Sequence, residues 1–226
     1  MPLIIAVIGV IVVKKTVLAQ RGKSGGVNYM RREDLEELHN ISPIDNIPLI
    51  MKHGILSHKK AERLDHGTVA LLEVQNLRKN KKIPNGGNLH EYANLYICAR
   101  NPMMYKRKNM HEELCVLRIS TKVLDLPGAI VTDSNAASNY VAFYPGPTGL
   151  KYLDGELIFS EYWTHPGDQI QEWQHKAIKC AEVLIPNKVP PALIFGAYVS
   201  GIIARKRLIE TGFDGIIEID EHMFFR

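Results

Sequence analysis

The stretch Lys176-Ala177-Ile178-Lys179-Cys180-Ala181-Glu182-Val183-Leu184-Ile185-Pro186 sets one carboxylate inside an otherwise apolar run. From Cys180 to Ile185 the side chains are short or branched and apolar, and Pro186 closes them off, the pattern of a buried strand rather than a helix. Glu182 is the exception that needs a reason. A lone carboxylate in such a strand is costly unless it is paired, protonated or aimed into a cleft. The plainer alternative is a strand-end glutamate facing solvent or pairing with Lys179. A second stretch, Leu89-His90-Glu91-Tyr92-Ala93-Asn94-Leu95-Tyr96-Ile97-Cys98-Ala99-Arg100-Asn101-Pro102-Met103-Met104-Tyr105, independently combines a strand with a polar, aromatic flank and weighs toward the cleft.

The chain has 226 residues, 46% of them apolar and 23% charged, which suits one domain with a real core and argues against wholesale disorder. A net charge of +4 is compatible with a polyanionic partner without demonstrating one. The cations cluster as Lys59, Lys60 and Arg63, as Arg78, Lys79, Lys81 and Lys82, and as Lys106, Arg107 and Lys108, each readable as a solvated face. Cys98, Cys115 and Cys180 lie far apart among apolar neighbours, as expected of reduced core thiols in a cytoplasm. There is no CxxC pair, and His111-Glu112-Glu113 lacks the second histidine of a zincin helix, so no metal site is expected.

Ile4 to Val13 is an unbroken apolar run, well short of the roughly 20 residues that span a bilayer, and it lacks the flanks of a signal peptide. No membrane association is expected. Residues 1–28 read as a strand or flexible extension, with Arg21 to Gly26 as a joint, and residues 29–226 as a single domain. Glu33 to Leu38 suggests a short helical turn, His39 to Ile41 a strand, and Ser42-Pro43 a helix opening that runs to Gly54. Further helices are expected near Leu71–Lys79, Pro102–Asn109, Ile170–Lys176 and Ile202–Thr211. Strands are expected at Tyr92–Ala99, Leu114–Ile119, Ala129–Thr132, the Glu182 segment, Leu193–Val199 and Ile216–Ile219. Asp133-Ser134-Asn135 suits a turn, and residues 140–168, rich in Pro, Gly and aromatics, read as a long ordered loop. Strands and helices neither alternate strictly nor segregate, so the class is α+β.

These motifs resemble the DarT family, bacterial toxins that use NAD to ADP-ribosylate thymidine bases in single-stranded DNA. The resemblance runs from about Leu38 to Phe225. It is most specific at His39 to Ser57, Leu89 to Tyr105, Thr132 to Ala137 and Lys179 to Pro186. It implies an ADP-ribosyltransferase fold, a split central β-sheet flanked by helices that cradles NAD, here a substrate. Glu182 then matches the catalytic glutamate and Arg78 the second catalytic residue, also in contact with NAD. The family motif that meets the nicotinamide end reads His, any residue, Thr. Here the text is His39-Asn40-Ile41-Ser42, so either His39 serves with one extra residue or Asn40 takes the histidine position, and Ser42 stands for the threonine. Gly54 and Leu56 match the segment bordering the nicotinamide ribose.

The chemistry asks for these residue types. Cleaving the nicotinamide–ribose bond develops positive charge that a water-shielded carboxylate stabilises, and the same carboxylate can take the ring proton of thymine. A planar guanidinium at Arg78 suits developing negative charge or a diphosphate. For the DNA strand, cations must meet phosphates and aromatic faces must meet unstacked bases. Tyr105, Lys106 and Arg107, with Tyr162, Trp163 and His165 in the loop before the catalytic strand, offer both. The resemblance further implies a cognate macrodomain antitoxin (DarG-like). Two readings compete: an ADP-ribosyltransferase acting on protein or RNA, and a nucleic-acid-binding module without catalysis.

Overall fold

The computed structural model describes residues 30–62, 64 and 72–226. The expectations for residues 1–28, and for Arg63 in the first basic cluster, lie outside the described residues. In chain order the elements are β1 (Leu38–Pro43), α1 (Ile47–His53), β2 (Ile55–Leu56), α2 (His58–Ala61), α3 (Leu72–Asn80), β3 (Tyr92–Tyr96), α4 (Pro102–Lys106) and β4 (Leu114–Ile119). There follow β5 (Ile130–Thr132), β6 (Phe143–Pro145), α5 (Gly155–Phe159), α6 (Gln169–Ile178), β7 (Glu182–Pro186), β8 (Lys188–Val189), β9 (Ile194–Val199), α7 (Ile202–Glu210) and β10 (Ile216–Ile219). Helices and strands are mixed as expected for α+β, around one large sheet.

That sheet runs β10-β9-β4-β1-β3-β7-β5-β6, with β2 and β8 forming a small ladder apart. The expected split takes a specific form. Six consecutive residue pairs join β1 to β4, but β1 and β3 pair only at His39↔Tyr96 among the described residues. Beyond that point the two strands diverge and the sheet opens between them.

Period two along the strands divides their side chains between two cores. Leu38, Leu95, Leu117, Ala181, Val183 and Ile185 enter the larger one, while Ile41, Tyr96, Val116 and Cys180 enter a smaller one on the opposite face. Glu182, alternating with Ala181 and Val183, therefore belongs to the second face, opposite Tyr96 in the β3–β7 register. Burial pushes the thiols of Cys115 and Cys180 up to about 12, so both stay protonated and inert; Cys98, expected in the core, is partly exposed.

Ser42 and Pro43 do not open a helix. They finish β1, paired with Cys115 and Leu114, and α1 begins at Ile47 after a short 3-10 turn. Sheet pairing on the β4 side takes these residues before any cap can form, and a proline is tolerated at a strand end. Likewise the turn foreseen over Glu33–Leu38 shrinks to Arg32–Asp34, and the strand foreseen to Ala99 stops at Tyr96 because Asn101 turns the chain into α4. Residues 140–168 contain β6 and α5 rather than loop alone. Gly54 ends α1 at φ +90, where a Cβ would lie 2.2 Å from the Val189 carbonyl, so only glycine fits between α1 and β8.

A buried polar knot closes the β1–β4–β9–β10 side of the sheet. Arg118 donates through Nε to Glu37 at 2.7 Å and through Nη1 to Glu218, and its guanidinium lies 4.6 Å from the Tyr198 ring centroid. Burial raises the Glu37 pKa, but hydrogen bonding to His39, followed by Arg118 and Tyr198, outweighs it and brings the carboxyl down to about 2. A folded pKa below the unfolded one means stability fully present above the unfolded value and lost as pH falls toward the folded one. Chemical unfolding should therefore show the protein weakening from about pH 4.5 down to about 2, with a shallower acid limb in Glu37→Gln. An unchanged limb would remove this knot from the acid response.

Candidate active site

The opening between β1 and β3 is a cleft of about 320 Å³. Asn40, Ile41, Ser42 and Pro43 line one wall; Tyr92, Asn94 and Tyr96 line the other; Leu49, Ile50, Gly54 and Leu56 add an apolar flank from α1 and β2. Asn40 spans the gap through its Nδ2, which donates to the Asn94 carbonyl at 3.3 Å, and Ser42 donates to Asn40 Oδ1 at 3.0 Å. His39 is not part of this cleft. Its Nε2 lies 3.2 Å from Glu37 Oε1 and its ring centroid 6.3 Å from that of Tyr198, so the imidazole is engaged with Glu37 and β9 instead. The geometry thus sets Asn40 and Ser42, and not His39, against whatever the cleft holds.

Glu182 is fully enclosed. Both its carboxylate oxygens accept from Arg78 Nη1 at 3.0 Å, and Oε1 also accepts from the Ala136 backbone N–H at 3.0 Å. The alternative pairing with Lys179 is not made. Lys179 is itself buried and donates to the carbonyls of Ile158 at 2.8 Å and Ser160 at 2.7 Å, tying the end of α5 to the base of β7. Glu182 does not line the cleft directly; Arg78 does, and stands between the carboxylate and the opening. An arginine paired this closely satisfies a buried anion, at a desolvation cost that only good geometry repays.

Arg78 reaches this position from the last turn of α3, whose neighbours Leu77 and Lys79 are exposed. Within the basic run each cation has its own fate. Lys81 donates to the Ser138 carbonyl at 2.7 Å, and Asn88 donates to the Lys79 carbonyl at 2.6 Å, so the end of α3 is fastened to the segment carrying Ala136.

The Thr132–Ala137 motif has a role that residue type alone did not reveal. The Thr132 hydroxyl accepts from the Glu182 backbone N–H at 2.9 Å and donates to the Ser134 carbonyl at 2.6 Å. The resulting turn aims the Ala136 N–H at the carboxylate. The short polar run Asp133-Ser134-Asn135 signalled the turn, but a backbone donor leaves no mark in its own side chain. Gln75, Asn94, Tyr96 and Lys106 also line the cleft; Gln75 Oε1 is buried there without a hydrogen-bond partner among the described residues.

The residues expected to meet a nucleic acid divide. Tyr105 is half-exposed, and Lys108 sits 4.3 Å from its ring centroid. Lys106, next to it, lines the cleft. Arg107 caps α4, its backbone N–H donating to the Met104 carbonyl at 2.9 Å. Tyr162 is 68% exposed. Trp163, in contrast, is 8% exposed, packed edge-on to Tyr105 at 6.0 Å and Phe225 at 5.8 Å, so its face is not offered to a base. His165 is turned to His175, with Nε2 2.8 Å from Nδ1, and His175 in turn meets Ser160 at 2.8 Å. Burial first, with smaller help from His165 and Lys179 and against the opposing hydrogen bond to the Leu157 carbonyl, lowers the His175 pKa.

Residues 39–225 match the family model described as DarT, ssDNA thymidine ADP-ribosyltransferase. A DNA ADP-ribosyl transferase–DNA ADP-ribosyl glycohydrolase fusion protein of Thermosipho africanus is 30% identical over 171 residues, 73% of this chain and 42% of the fusion. The chain therefore spans less than half of that relative. The Thermus sp. 2.9 DarT in complex with ADP-ribosylated ssDNA aligns with a TM-score of 0.74 at 23% identity, covering 84% of this chain and 97% of that one. The same Thermus protein with NAD+ gives 0.69 at 22%, covering 84% and 98%. At these identities the two structures speak to the fold.

Proposed function

This chain belongs to the DarT family of ssDNA thymidine ADP-ribosyltransferases, and on that premise we propose that it transfers ADP-ribose from NAD to thymidine bases in single-stranded DNA. The observation that carries this reading is the enclosed Glu182 carboxylate, held by Arg78 and the Ala136 N–H behind the wall of the cleft.

The cleft suits a dinucleotide: polar side chains at Asn40, Ser42, Gln75 and Arg78, an orphaned carbonyl oxygen on Gln75, and an apolar wall from Ile50 and Leu56. NAD, when bound, supplies the ADP-ribosyl group and gives up nicotinamide. In this reading Asn40 and Ser42 hold the nicotinamide end, with Gly54 and Leu56 beside the ribose. Arg78 leaves Glu182 for the incoming substrate, and the carboxylate so exposed stabilises positive charge at the ribose and accepts the thymine ring proton. Glu182 has no exposed surface of its own, so the bound dinucleotide would shield it from water. Tyr105, Lys106, Arg107 and Tyr162 are proposed to receive the DNA strand, with Trp163 and His165 shaping that surface from behind rather than touching bases.

We also read residues 29–226 as one catalytic domain carrying a short extension, acting in the cytoplasm as the toxin of a pair whose antitoxin is a macrodomain glycohydrolase. The fusion of transferase and glycohydrolase in the Thermosipho relative supports that pairing. Among the described residues no helix is long and apolar enough to cross a membrane.

Incubation with NAD labelled in its adenylate half tests the reading. Label should appear on single-stranded oligonucleotides that contain thymine and be absent from thymine-free oligonucleotides, RNA and bulk protein. Label on RNA or protein instead would overturn the acceptor, and no transfer to anything would overturn the enzyme.

A further inference from the structure

We propose that His58, Glu62 and His90 bind a divalent transition-metal ion, zinc being the probe of choice, on the wall of the cleft. One ligand atom from each of the three lies within 4.8 Å of the others. His58 opens α2 and Glu62 follows that helix four residues on, which puts both on one helical face. His90 arrives from the 3-10 turn Leu89–Glu91, its ring centroid 4.2 Å from that of His58.

Two observations ask for more than a stack of imidazoles. His90 Nε2 is enclosed and has no hydrogen-bond partner among the described residues, a costly state that an ion would relieve. His58 Nε2 stands 3.6 Å from Glu62 Oε1, too far for a hydrogen bond and open to a bridging cation.

Two imidazoles and one carboxylate form the donor set of open zinc sites, and nitrogen-rich sets favour first-row transition metals over calcium or magnesium, which take oxygen. Ligand atoms about 2.1 Å from a tetrahedral ion stand about 3.4 Å apart, so the trio must close by roughly an ångström. His58 and Glu62 can make that movement, their side chains being 40% and 60% exposed. Both histidines line the cleft, so the remaining coordination position faces it. Lys59, the nearest lysine in sequence, is engaged at 2.7 Å with Glu91 and leaves the site to a mobile cation.

The site is tested without NAD, so that its failure and the failure of the transfer reading are distinguishable. Titration with Co²⁺ should give a visible ligand-field band saturating at one equivalent, displaced by Zn²⁺, and calorimetry with Zn²⁺ should give one site. His90→Ala and Glu62→Gln should each weaken binding at least about tenfold, while His222→Ala, which removes an exposed histidine elsewhere, should leave it unchanged. Glu62 is exposed, so its variant folds like the parent and keeps the test decisive. Absence of saturable binding, or binding unaltered in both variants, would overturn the site.

Discussion

Glu182→Gln should lower ADP-ribosyl transfer about 10³-fold while changing unfolding stability by no more than about 1 kcal/mol. The substitution keeps the shape of the side chain. An amide oxygen still accepts from the Ala136 N–H, now 3.0 Å from Oε1, and still fills the enclosed space beside Tyr96. What it removes is negative charge at the one point where the reaction develops positive charge, and the acceptor for a thymine proton. Arg78 loses its partner, but it lines the cleft and can turn its guanidinium to water, so the stability cost stays small. Glu182→Ala would be a poorer test, because it would add a void in a fully enclosed position and lose the Ala136 bond as well. Transfer to a thymine oligonucleotide, read by gel shift, together with urea unfolding checks both halves. Transfer within about tenfold of the parent would take Glu182 out of the chemistry.

How far this site could be read beforehand follows from where its information lies. Strand Leu114–Ile119 and helix Ile202–Glu210 are written locally, in apolar period and a closing polar or glycine residue, and they fall where the pattern puts them. Glu182 was legible for the opposite reason: a charge violating a local pattern announces that something distant compensates it. The compensator Arg78 could be named only by resemblance, since within a run of lysines no local signal separates the inward residue from its exposed neighbours. Which of His39 and Asn40 faces the cleft was undecidable without knowing that β1 pairs with β4 through Pro43 and meets β3 at one residue. Ser42-Pro43 is a good helix opening in isolation, overridden by the sheet. Trp163 illustrates the same limit. Its neighbours in sequence promised an exposed face, whereas Phe225, at the far end of the chain, covers it. Of the trio, His58 and Glu62 stand four residues apart, a spacing too common on helices to single out, and His90 joins them only because the fold brings α2 and the turn before β3 together.

Arg78→Gln should destabilise the protein by about 3 to 5 kcal/mol, and most of that loss should be recovered in the double variant Arg78→Gln/Glu182→Gln. The asymmetry with Glu182→Gln comes from burial. Arg78 has the cleft to turn into, whereas Glu182 has no exposed surface, so removing the guanidinium strands an anion with a single backbone N–H for company. Neutralising both positions removes the stranded charge and leaves two amides able to bond to each other, so the singles should be strongly non-additive. Transfer should fall in all three variants, about 10²-fold or more, since on the proposed mechanism Arg78 holds negative charge beside the carboxylate during transfer. Urea unfolding of the four proteins closes the cycle. Additive losses would mean that the 3.0 Å contact between Arg78 Nη1 and Glu182 contributes little. A strongly coupled pair would instead show that the arginine holds the acidic group closed in the free protein.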